Sequence, residues 1–133
     1  MANEAAFISQ IESYLVDKLS TVSKYVYAGS LPSTIPTNIP KTQYGFVVVD
    51  CATAVNDYGG YNQGMINIYL YGKQTASGRK DTNAFYNLEK AYAEFLENSD
   101  SKDYAITEVY RQADYDSTYG MYFIVSAINL IVK

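Results

Sequence analysis

The sequence holds no histidine. That removes the Ser-His-Asp and Cys-His arrangements that activate a nucleophile, and with them the usual general base near neutral pH. It also removes His-ligated zinc, and the single cysteine, Cys51, cannot supply the thiolates of a zinc or iron–sulfur centre. Cys51 cannot form an internal disulfide either, so no secreted disulfide scaffold is implied. It follows Val47-Val48-Val49, which points to a buried structural thiol and not a reactive one.

Three polar patterns remain. Gly72-Lys73-Gln74-Thr75 resembles a phosphate loop, but the full pattern needs an earlier glycine and Ser or Thr directly after the lysine. Position 67 is Asn and Gln74 follows Lys73, so a solvated loop is expected. Asp114-Tyr115-Asp116 puts two carboxylates on one side of an extended segment, and Thr118 continues the spacing. A calcium loop would carry glycine at its sixth position and glutamate at its twelfth. Those positions hold Tyr119 and Val125, and aspartate more simply stabilises a reversal by bonding its own backbone. Glu89, Glu94 and Glu97, beside Lys90, read as the water-facing side of a helix, and nothing in the sequence places two acids at a cleft as glycoside hydrolysis requires. The expectation is a protein that is not an enzyme, with no catalytic, cofactor-binding or metal-binding residues and no cofactor.

The elements that position these residues follow from periodicity. Phe7, Ile8, Ile11, Tyr14, Leu15 and Leu19 recur at helical spacing, predicting an amphipathic helix from about Glu4 to Leu19 with Asn3 as N-cap. Tyr25-Val26-Tyr27 is a short extended segment. Ser30–Gln43 carries Pro32, Pro36 and Pro40, each removing a backbone donor, so it is a stiff connector: a contact arm, or a plain crossover loop. Tyr44–Asp50 reads as a buried strand, Asn56–Asn62 as a reversal, and Met65–Tyr71 as an alternating strand. Gly72–Asp81 is a polar loop leading into a second helix, marked by Phe85, Leu88, Tyr92, Phe95 and Leu96 and closed by Asn98-Ser99-Asp100. Tyr104–Gln112 and Tyr119–Val132 are expected to pair around a turn at Asp114–Thr118. At about 3.3 Å per residue the last strand would outrun its partner, so a bend, a bulge or a second partner is implied. Both of its faces are largely apolar, which predicts that Ala127–Ile131 pairs inside the sheet or against a neighbouring subunit. The fold class is α+β: a single mixed or antiparallel sheet of about five strands, with two helices on one face and the whole chain, 1–133, as one domain.

Composition narrows the partners. Charged residues are 18% of the 133, and tyrosine occurs fifteen times without any tryptophan. A low-charge, tyrosine-rich surface suits a protein partly covered by partners, and a genome-wide bias toward Tyr and Asn gives the same composition. A net charge of −4 argues against gripping nucleic acid, although a ring could let DNA pass. Met121–Val132, the longest apolar run, is interrupted by Ser126 and Asn129 and is too short to span a bilayer, so no membrane is implied. Asn3 and Glu4 stand where a signal peptide would be basic, and the expectation is synthesis and folding in a cytoplasm.

Taken in order, these features resemble the tail-completion and tail-terminator proteins of tailed bacteriophages, including the head–tail joining (neck) group. The features that carry the resemblance are the opening helix, the Pro-punctuated segment leading to Tyr44–Asp50, and the run Met65-Ile66-Asn67-Ile68-Tyr69-Leu70-Tyr71-Gly72-Lys73. A helix over Asn83–Asn98 and the long strand Tyr119–Val132 complete it. The resemblance covers nearly the whole chain and rests on order and texture. It implies a structural virion protein that forms a homo-oligomeric ring, a hexamer or a portal-matched dodecamer, at the neck or tail. The ring would assemble in the host cytoplasm, contact portal or connector and tail proteins, and let DNA pass without specific binding. It implies no cofactor and no active site. The alternative is a small tyrosine-rich ligand-binding or adaptor α+β domain.

Overall fold

The computed structural model describes residues 8–28, 45–51, 56–57, 62–117 and 120–133. Along the chain lie α1 (Ile8–Leu19), β1 (Val26–Ala28), β2 (Phe46–Asp50), β3 (Asn56–Asp57) and β4 (Asn62–Tyr71). They are followed by α2 (Thr82–Glu97), β5 (Tyr104–Asp116) and β6 (Met121–Val132). The protein is α+β. Its sheet runs in the order β1-β2-β4-β6-β5, and β3 pairs with the start of β4. Among the described residues β1 and β2 pair in parallel, and the other pairs are antiparallel.

Period-2 alternation sorts the strands into two faces. Val47 and Val49 of β2, Ile66, Ile68 and Leu70 of β4, and Ile124, Ile128, Leu130 and Val132 of β6 point to one side. Against them pack Ile11, Leu15 and Leu19 of α1, spaced by four, and Phe85, Tyr92 and Phe95 of α2. Both helices therefore lie on one face, where their apolar stripes have the only large partner surface to bury against. The start of α2 is fixed by Asp81, whose carboxylate accepts from the Ala84 amide at 3.0 Å. The opposite face carries a smaller cluster of Phe46, Val48, Tyr71 and Met121, edged by Tyr25, Tyr27, Tyr69 and Phe123.

Several expectations need adjusting. The final strand does not outrun its partner: β5 continues to Asp116, and every residue of β6 has a partner on β5. The turn is correspondingly tighter than Asp114–Thr118, with the Gly120 amide donating to the Asp116 carbonyl at 2.7 Å and Gly120 at a φ of +64°. A bulge does occur, but on β5, the other strand of the hairpin. Glu108 faces Ile128 and Tyr110 faces Ala127, which leaves Val109 as the extra residue. β6 is an interior strand between β4 and β5, as the double apolar pattern of Ala127–Ile131 requires. The proposed cap Asn3 and the proline segment Ser30–Gln43 lie outside the described residues.

Candidate interaction surfaces

Where sequence reasoning put single residues, the structure puts a connected polar cluster at the α2–β5–β6 junction. Residues i and i+3 of a regular strand point to opposite faces, but the extra residue Val109 turns Glu108 and Arg111 to the same, helix-facing side. Arg111 grips Glu108 with two bonds, Nε to Oε2 at 2.8 Å and Nη2 to Oε1 at 3.0 Å. Its Nη1 reaches Glu89 of α2 at 2.8 Å. Ser126, fully buried on β6, donates to Glu108 Oε2 at 2.6 Å and accepts from the Tyr92 hydroxyl at 2.8 Å. The Arg111 guanidinium also lies over the Tyr92 ring, 5.6 Å from its centroid.

The electrostatics match. The bonds to Glu108, ahead of those to Glu89, hold Arg111 still more firmly in its charged form than an ordinary arginine. Burial raises the pKa of the Tyr92 phenol, so it stays a neutral donor. Among the described residues no buried side-chain nitrogen or oxygen lacks a hydrogen-bond partner. The arrangement links α2 to the sheet through Glu89, Arg111 and Tyr92.

The other sequence-singled residues are dispersed. Asp114 and Asp116 end β5, with Asp116 Oδ2 accepting from the Tyr71 hydroxyl at 3.1 Å and Asp114 Oδ1 accepting from the Tyr115 amide at 2.7 Å. Glu94 and Glu97 are exposed as expected, whereas Glu89 is half-buried by its bond to Arg111. Lys73 pairs with Asp81 at 3.7 Å. Cys51 is half-buried at the end of β2, and burial, then Glu12 and Asp50, push its thiol up to about 12. No group of three or more His, Cys, Asp or Glu among the described residues is placed to hold a metal ion. No helix among them is long and apolar enough to cross a membrane.

Two surface features stand out. The first is the outer edge of β5. It terminates the sheet, and among the described residues no strand pairs with it. Thirteen residues long, it exposes Val109 (56%), Tyr110 (51%) and Tyr115 (48%), with Tyr115 set edge-on to Tyr122 at 4.7 Å. Val109 and Tyr110 escaped sequence reasoning because they were read as parts of an ordinary strand, and Tyr115 because it was read as part of the turn. The signal was the broken alternation at Thr107-Glu108-Val109-Tyr110, two polar residues followed by two apolar ones. The second feature is a groove of about 330 Å³ between the helices, lined by Tyr14 and Lys18 of α1 and by Ala91, Glu94 and Phe95 of α2.

Of the loops between the core elements, Ser30–Gln43 lies outside the described residues. The Asn56–Gln63 segment is described only at its two ends, which pair as β3 and the start of β4. Gly72–Lys80 is a tied loop. The Thr75 amide donates to the Arg79 carbonyl at 2.8 Å, the Arg79 amide to Thr75 Oγ1 at 3.1 Å, and the Gln74 side-chain amide to the Gly120 carbonyl. No protein-family model and no curated protein matches the sequence.

Proposed function

We propose that this chain is a structural subunit of a homo-oligomeric ring at the neck or tail junction of a tailed bacteriophage, acting by assembly and not by catalysis. The observation that carries this reading is the open edge of β5. A thirteen-residue edge with three large exposed apolar side chains is costly to leave in water and invites association. The bulge at Val109 and the charges of Glu108 and Arg111 restrain indiscriminate edge pairing, as expected where the contact is specific. The order of elements, from the opening helix through the second helix to a long final strand, is the order on which the resemblance rests. In this reading the portal or connector and the tail proteins are the neighbours, and DNA passes without being bound, in keeping with a net charge of −4.

Native mass spectrometry at micromolar concentration tests it, with a mass of about six times 14.9 kDa expected. A single copy per assembly in purified particles would end the reading. The interhelical groove beside Tyr14 favours a second reading, a small ligand-binding or adaptor domain. That reading requires a monomer or dimer whose Tyr14 environment changes on ligand addition.

A further inference from the structure

Helix α2 has a favourable carboxylate at its N-cap, Asp81, but the loop leading into it is cationic and its last turn holds acids and no base. A helix presents partial positive charge at its N-terminus and partial negative charge at its C-terminus, so carboxylates suit the start and cations the end. The segment entering α2 instead holds Lys73, Arg79 and Lys80. Asp81 is engaged twice, capping Ala84 and pairing with Lys73, so Arg79 and Lys80 form no ion pair among the described residues. Lys80 rests over the Phe85 ring at 4.7 Å. At the other end the last turn holds no basic residue, and Glu94, Glu97 and Asp100 stand exposed. Lys133 reaches Asp100 at 2.8 Å, while Glu94 and Glu97 form no ion pair among the described residues.

The two ends cannot neutralise each other within one chain. Sixteen helical residues span about 24 Å, about three Debye lengths at physiological ionic strength. They face opposite ends of the molecule, one beside the β5–β6 turn through Gln74 and Gly120, the other beside the start of β5. The cationic end is also held ready. The bonds from Thr75 to Arg79, the Gly78 amide to the Thr75 carbonyl at 3.0 Å, and Gly78 at a φ of +79° fix the loop before any partner arrives.

We propose that the Arg79–Lys80 loop of one copy docks on the Glu94 and Glu97 end of α2 in a second copy, a head-to-tail contact. It rests on the assembly reading and adds to the β5 edge a second, electrostatic contact that sets the orientation of neighbouring copies. A contact between two different patches repeats around an axis and gives a ring where the rotation closes, which a self-complementary two-fold patch cannot do. Charge complementarity identifies the occupant: each end supplies what the other lacks, and the same chain carries both.

The test uses the full chain and two variants, R79E/K80E and E94K/E97K, with light scattering and native mass spectrometry. All four side chains are exposed and the swaps place acids before the helix start and cations at its end, so circular dichroism should match the wild type and thermal midpoints should not fall. The wild-type oligomer is expected to dissociate as salt rises from about 50 mM to about 500 mM. Each variant alone should associate at least about tenfold more weakly, and an equimolar mixture, in which unlike ends can meet, should regain the oligomer. Variants that associate as the wild type does, or a mixture no better than either alone, overturn the contact while leaving the ring reading standing. A wild-type chain that stays at 14.9 kDa at every concentration and salt overturns the contact, while the ring reading is decided by copy number in purified particles.

Discussion

Ile128 shows what a single side chain contributes here. It is fully buried on β6, between Ile66 of β4 and Glu108 of β5, under the helices. Replacing it with alanine should cost about 2–5 kcal/mol in denaturant unfolding, and aspartate should prevent folding, because a carboxylate there has no partner. An unchanged midpoint for Ile128→Asp would show the strand exposed. Cys51 makes a pH-dependent case. Its thiol rises from an ordinary value of 9.0 to about 12, so the folded state holds the proton more tightly than the unfolded chain. That contribution is complete below pH 9 and is lost as pH climbs toward 12. The Tyr92 phenol, raised chiefly by burial, acts in the same direction. Thermal midpoints should fall over this range, less steeply in Cys51→Ala, and native Cys51 should alkylate far more slowly at pH 8 than in the unfolded chain.

At the scale of elements, the β5 bulge can be tested by deletion. Removing Val109 would leave Glu108 opposite Ile128 and Tyr110 opposite Ala127, with Glu108 and Arg111 still facing the helices. The fold should survive with its β5–β6 register intact, but the edge would become straighter and a better template for pairing with other chains. Light scattering on warming should therefore show earlier aggregation with little change in the circular dichroism spectrum. Loss of the folded spectrum would mean that the bulge is needed for folding. The loop after β4 is constrained differently: a methyl group added at Gly72 would run into the Phe85 ring, the first apolar anchor of α2.

For the whole molecule, assembly should leave a trace on backbone exchange. The hydrogen bonds that tie Gly72–Lys80 lie at an exposed tip, where amides exchange easily through local opening. If this loop makes the contact between copies, its amides should exchange more slowly in the oligomer than in the dissociated chain at high salt. Equal exchange in the two states would move the contact elsewhere on the surface, with the β5 edge the next region to compare.

The sequence by itself determined the kinds of element and most of their extents, because hydrophobic periodicity is a local property. The stripe Ile8, Ile11, Leu15 and Leu19, spaced by three and four, has the period of a helix face, and the alternation of Ile66, Ile68 and Leu70 that of a strand face. It also ruled out histidine chemistry, which is a matter of composition. Only the tertiary structure decided which strands are neighbours, and so which strand is left at the edge. The apolar pattern of β6 requires two flanking partners but does not name them, and β5 became the open edge because β4 took the other side of β6. The Glu108–Arg111–Glu89–Ser126 cluster was out of reach for the same reason. Its members lie on three elements, and two of them share a face only because a one-residue bulge, set by pairing across the sheet, cancels the local period of two.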